Sequence, residues 1–306
     1  MAKSIQHGQR RGLRGGRSVP RRRRAEVIRR PPVLPVADDP APDATPSLFG
    51  GAPAPRVVRR YGTDLFGKAI LKEAVEMLPL LPDTESVQEI RVFLRSQLHF
   101  SAVQTRERNA NYITRRMFPD GIADAPVRCF ARAFAESKEL REVCFYRFLR
   151  AEPLQVRIVD ELLLPAVGAG RLSRARLRAW LASEYPASRS INDCAKAAVD
   201  ALTAGGIATA DRTEIRFAGR DIPLASFAFI LHSEFPEPGM YDIGRLEQNR
   251  FIRAMLWNPD RLVPALYELR NRGLISKVSE IDNIRQFTTR YTLGEVVEKI
   301  GERKKG

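Results

Sequence analysis

Cysteine and histidine are scarce in this 306-residue chain, three of each, and neither type clusters. Cys129, Cys144 and Cys194 lie far apart, with no CxxC pair and no neighbouring histidine. That spacing excludes a zinc set and a disulfide framework, so no metal-binding residue is assigned. The cysteines are expected as small buried apolar residues in a reducing cytosol. His7 lies in the basic N-terminal stretch, His99 ends an apolar helix face, and His232 follows Phe229-Ile230-Leu231, where a satisfied core imidazole is expected. Long apolar runs are missing too: nothing approaches the roughly 18 residues of a membrane span, and the N-terminus lacks the apolar core of a secretory signal. The reading is a cytoplasmic protein with no membrane partner. Phosphate-binding loops of the GxxxxGK[ST] kind, GxGxxG turns, GxSxG elbows and HExxH helices are all absent. No enzyme activity, catalytic residue or cofactor is therefore expected.

Acidic residues are the other shortage: 36 Asp/Glu face 51 Lys/Arg, for a formal charge of +15 and a pI near 10.3. The excess is uneven. Residues 1–60 hold 14 basic against four acidic groups, while the remaining 246 residues hold 37 against 32. The first stretch carries Arg21, Arg22, Arg23 and Arg24 in one run, followed by eight prolines between Pro31 and Pro55. With so few large apolar side chains it cannot offset the entropy of ordering, and residues 1–60 are expected as a disordered Arg/Pro-rich arm. Clustered arginines on such an arm neutralise phosphates and release counterions, which points to nucleic acid.

The whole chain is 44% apolar, enough to fill real cores beyond the arm. Residues 61–170 read as a helical bundle. A first helix is expected from Asp64 to Leu78, with Ile70, Leu71, Ala74 and Leu78 on one face before Pro79 and Pro82 break it. A second starts at Asp83-Thr84-Glu85. Ser101 caps a third, which groups Val103, Ala110, Ile113 and Met117 and turns Arg108, Arg115 and Arg116 to the other side. Tyr112, beside those arginines, is a candidate base-stacking residue, and Arg106 is expected in a partly buried ion pair with a carboxylate such as Glu73. Further helices span about Pro126–Ser137, Glu139–Arg150 and Pro153–Val167. Phe130, Phe134, Phe145, Phe148, Phe227 and Phe229 fall at spacings that suit core packing rather than base stacking.

Two later segments repeat one grammar of helix, turn, helix and hairpin. In residues 171–238, Ser173 caps one helix, Ser188 or Ser190 opens another, Gly205-Gly206 stops it, and two short alternating runs follow. In residues 239–306 a helix from Asp242 to Leu256 precedes a second from Asp260 to Arg272. Gly273 closes that helix, and strands at 274–278 and 284–292 follow. The string Leu262-x3-Leu266-x2-Leu269-x3-Gly273-Leu274-Ile275 has the form of a winged helix-turn-helix, whose second helix buries one stripe and leaves the opposite face for a major groove. The fold class is thus mainly α, a helical bundle with two winged units behind the arm. On the second unit Arg261, Asn271 and Arg272 face outward from the helix, and Lys277, Arg285 and Arg290 flank the wing. On the first unit Arg189 and Lys196 are exposed beside Asp193 and Asp200, which suits a structural or protein-binding role at least as well.

Thr105-Arg106-Glu107-Arg108-Asn109 and Ile113-Thr114-Arg115-Arg116-Met117-Phe118 resemble the arginine-bearing helix of the BrxA family, the small accessory component of BREX phage-defence systems. Arg147-Phe148-Leu149, Ile158-Val159-Asp160-Glu161-Leu162 and Leu202-x3-Gly206-Ile207 follow in the family's order, so the resemblance spans roughly residues 64–235. It implies an all-helical fold with helix-turn-helix character and binding of double-stranded DNA beside a methyltransferase and an ATPase. Arg108, Arg115 and Arg116 would then form a DNA-facing surface. The arm and the second winged unit lie outside that pattern. The expected function is a non-enzymatic duplex-DNA-binding component of a bacterial defence system. An interaction scaffold built on winged helices, or an RNA-binding antitermination-like factor, would carry the same features.

Overall fold

The first helix is shorter than expected: in the computed structural model, which describes residues 65–281 and 284–305, helix α1 covers only Leu71–Met77, and residues 65–70 ahead of it are not helical. Phe66 and Ala69 are buried ahead of it, and Ile70 turns the chain through a left-handed conformation at φ 53°. A guanidinium from another helix, that of Arg116, takes the Ala69 carbonyl and so removes an acceptor that an earlier helical turn would need. A 3-10 turn at Leu78–Leu80 absorbs Pro79.

The bundle continues with α2 (Val87–Gln97), α3 (Val103–Met117), α4 (Ala125–Ala133) and α5 (Lys138–Ala151). Side-chain oxygens of Ser86, Asp124 and Ser137 accept the backbone N–H three residues on and cap α2, α4 and α5. α3 has no such cap: Ala102, not Ser101, is its first flanking residue, and Val103 is exposed rather than part of the apolar face. Helix α6 (Pro153–Ile158) runs into a π turn at Val159–Leu163 and then a 3-10 stretch to Ala169. Pro165 explains the change of pitch, because it offers no N–H to the carbonyl four residues back and its ring crowds that carbonyl.

After this come β1 (Arg171–Ser173), α7 (Arg174–Glu184), α8 (Ile191–Ala204), β2 (Thr209–Ala210) and β3 (Glu214–Arg216). Ser173 caps α7 as expected, its Oγ accepting the Arg176 N–H at 3.1 Å. Gly206 stops α8 at φ 69°. The three strands form an antiparallel sheet in the order β1-β3-β2, with Leu172 opposite Ile215. Helix α9 (Leu224–Glu234) then leads to β4 (Met240–Asp242), α10 (Ile243–Glu247), α11 (Arg250–Ala254), a 3-10 turn at Pro259–Arg261, α12 (Leu262–Asn271), β5 (Lys277–Ile281), β6 (Ile284–Thr288) and α13 (Leu293–Lys305). The second sheet has the same form, β4-β6-β5, with Tyr241 and Val278 both paired to Phe287. The helix expected over 242–256 is two helices, because Asn249 takes the N–H groups of Phe251 and Ile252 and starts a new one.

One core joins these parts. Phe130 packs on Phe134 and Phe229, Phe227 on Trp257, Tyr146 on Phe251, and Phe235 on Phe287. The six phenylalanines expected in the core are all buried there. Buried Glu142 on α5 accepts from Arg220 and from the Ser226 hydroxyl, and Arg220 also donates to the Met255 carbonyl at 3.0 Å. A charged pair of this kind ties the bundle to the α9–α11 region.

Candidate nucleic-acid interface

The arginines of α3 do not share one surface. Arg108 is exposed with no ion pair among the described residues. Arg115 is half exposed and bonds Glu152 at 3.2 Å. Arg116, expected beside them, is 1% exposed. Its Nε donates to Glu152 at 2.8 Å, and its guanidinium lies 4.8 Å from the Phe148 ring centroid, 5.0 Å from Tyr112 and 5.8 Å from Phe66. A helix turns 100° per residue, so two adjacent arginines cannot both lie on the outer face once that face is this narrow. Burial depresses the Arg116 pKa, and the Glu152 carboxylate opposes the shift. Tyr112 is engaged with Arg116 and is not an open stacking platform. Arg106 also departs from expectation, donating to the Phe100 carbonyl at 3.1 Å instead of a carboxylate.

On the second segment, β4 to β6, α12 buries Leu262, Ala265, Leu266 and Leu269 and exposes Pro264 and Asn271, and Arg261 just ahead of it is exposed too. Arg272 is tied to Glu268 at 2.9 Å, and the Asn271 side-chain oxygen accepts from Arg270 at 3.1 Å. Arg285 is neutralised: it forms a bidentate pair with Glu247 at 2.9 and 3.3 Å and reaches Glu280 at 3.3 Å. Its pKa is raised, first by the hydrogen bonds to Glu247. Lys277 is exposed and stands opposite Thr288, two residues before Arg290, whose guanidinium covers Tyr291 at 5.4 Å. Arg261, Lys277 and Arg290 have no carboxylate partner among the described residues.

On the first segment, Arg189 and Lys196 are exposed as expected. Sequence reasoning missed the cations of α7, which adds Arg174, Arg176 and Arg178. Arg174 and Arg178 sit four apart on one helical face, a spacing that the string Arg174-x3-Arg178 already displays. Together with Lys196 they line a groove of about 280 Å³ between α7 and α8. Several acids of this segment are occupied: Asp211 and Glu214 bind Arg216, and Glu184 binds Arg157, whereas Asp193 and Asp200 on α8 are exposed. Asp211 also accepts backbone N–H bonds from Thr213 and Glu214, which hold its carboxyl at about 2.

Arg21, Arg22, Arg23 and Arg24 lie outside the described residues. Cys129 is exposed, contrary to expectation, whereas Cys144 and Cys194 are buried, with desolvation pushing their thiols up to about 12 and about 11. His232 is half satisfied: Nδ1 lies 2.9 Å from the Ala228 carbonyl and so carries the proton, while buried Nε2 has no partner among the described residues. Of the adjacent acids on the π turn, Glu161 pairs with Arg157 at 2.9 Å, but Asp160 keeps one buried oxygen unpartnered. Among the described residues no group of three or more His, Cys, Asp or Glu could hold a metal ion, and no helix is long and apolar enough to cross a membrane. No protein-family model, curated protein or solved structure matches this chain.

Proposed function

We propose that this chain is a non-enzymatic, double-stranded-DNA-binding component of a bacterial multi-protein system, and that its two segments of strand, helices and hairpin are winged helix-turn-helix units. The observation that carries the reading is the second segment: its α12 leaves one face uncovered, with Arg261 at the start of the helix and Lys277 and Arg290 at the hairpin that follows it, none of them paired with a carboxylate among the described residues. A helix laid in a major groove needs a free face, and flanking cations need free charges for the phosphates on either side. On this reading α12 is the helix that enters the groove, and Arg285, already neutralised, holds the wing. Phage defence is the proposed setting, because residues 64–235 resemble the BrxA family, and a methyltransferase and a large ATPase would then be its partners.

The test is a gel shift of the full chain on duplex DNA. Binding should be clear at low salt and should weaken by roughly tenfold or more in a variant carrying Arg261→Glu and Lys277→Glu, since each substitution removes a cation from a phosphate and adds a repulsion. No shift at low salt overturns the proposal. Equal displacement by single-stranded RNA would favour the antitermination-like reading instead.

A further inference from the structure

Three cations converge on the groove between α7 and α8 with no acid among its lining. Arg174 and Arg178 come from α7 and Lys196 from α8, and Leu177, Asn192 and Val199 complete the walls. None of the three forms an ion pair among the described residues. The Nε of Arg174 is buried and donates to nothing among the described residues, although most buried donors find an acceptor. Like charges gathered around one concavity repel, and an orphaned buried N–H costs further free energy. One oxyanion would relieve both. The neighbouring groove, which Lys196 also lines, differs in kind, because Glu73, Asp193 and Asp200 stand among its lysines.

We infer that the α7–α8 groove is a phosphate seat: Arg174 donates through Nε, Arg178 and Lys196 supply the opposing charge, and the ligand is a phosphate group of nucleic acid or a small phosphate anion. Its volume of about 280 Å³ holds a phosphate group with attendant waters, not a whole nucleoside with its base stacked inside. This inference is independent of the duplex reading of α12, which involves different residues on a different segment.

The experiment follows the arginine Nε–H signals of the full-length protein by ¹H–¹⁵N spectroscopy. The Arg174 signal is identified by its absence from Arg174→Lys, and inorganic phosphate is then added, with duplex DNA in a separate arm. Millimolar phosphate should shift that signal, and the shift should be lost in Lys196→Ala and in Arg178→Ala, both of which keep Arg174. Unchanged thermal midpoints of these variants without phosphate would show that the fold is intact. If duplex DNA also moves the signal, the source is the nucleic-acid backbone; if only inorganic phosphate does, it is a small anion. An Arg174 signal that phosphate leaves in place, or one that moves equally in both alanine variants, overturns the seat. Absence of duplex binding in the gel shift with a phosphate-induced shift still present would sink the duplex reading alone.

Discussion

A guanidinium held away from water stays charged only when its edges and faces are all used, and Arg116 uses them: Glu152 and the Ala69 carbonyl at its edges, three aromatic rings at its faces. Removing it would leave Glu152, itself 7% exposed, without its buried partner. Loss of one member of a buried pair costs about 3–5 kcal/mol, so Arg116→Ala should lower the urea midpoint sharply. Arg115→Ala should cost ~1 kcal/mol or less, because its own side chain is half in water and Glu152 keeps Arg116. Equal midpoints for the two variants would mean that Arg116 is not structural. Lysine would not rescue position 116, since it lacks the planar fork and the stacking face. The sequence shows two adjacent arginines and no means of ranking them. Their difference is set by Glu152, Phe66 and Phe148, which no local pattern connects to position 116.

At the scale of elements, close approach rather than propensity decides the join between α8 and the bundle. Gly205 has an ordinary negative φ, but a Cβ added there would sit 2.7 Å from Cβ of the buried Phe145 on α5. Gly205→Ala should therefore overpack the α5–α8 interface and lower stability by about 1–3 kcal/mol, read as a drop in the thermal midpoint. An unchanged midpoint would mean that α8 can move off α5 freely. The glycine pair is legible as a helix stop, and Gly206 is the left-handed member of it. That its neighbour must be glycine because of a ring on α5 is not. Strands β1 and β4 show the same limit. Each is three residues long, too short for its alternation to stand out, and it is a strand because a hairpin from later in the chain offers it an edge. The division of 242–256 at Asn249 is hidden from a periodicity reading, because the apolar spacing continues across the cap while the side-chain amide breaks the backbone ladder.

For the whole molecule, charge is distributed in two ways that pull apart on salt. Residues 1–60 hold 14 basic groups and few acids, whereas much of the basic excess further along is spent on ion pairs. Deleting residues 1–60 should flatten the dependence of log K for duplex DNA on log salt by about 0.9 for each phosphate that the arm neutralises, while leaving the phosphates held beside α12 unaffected. Binding of both forms measured between low and moderate salt checks this. An unchanged slope would mean that the arm does not touch DNA.

Features written within a few residues of one another follow from the amino-acid order alone: helical periodicity, the cap at Ser173, the stops at Gly206 and Gly273, the phenylalanine core and the uneven charge. Which cations are spent and which are free is settled only by folding, because that depends on partners distant in the chain. Arg285 is matched by Glu247 and Arg116 by Glu152, while Arg174, Arg178 and Lys196 meet one another with no acid between them. A charge count along the chain gives each arginine the same weight, whereas the folded molecule removes some of them from the surface potential and concentrates others in one groove.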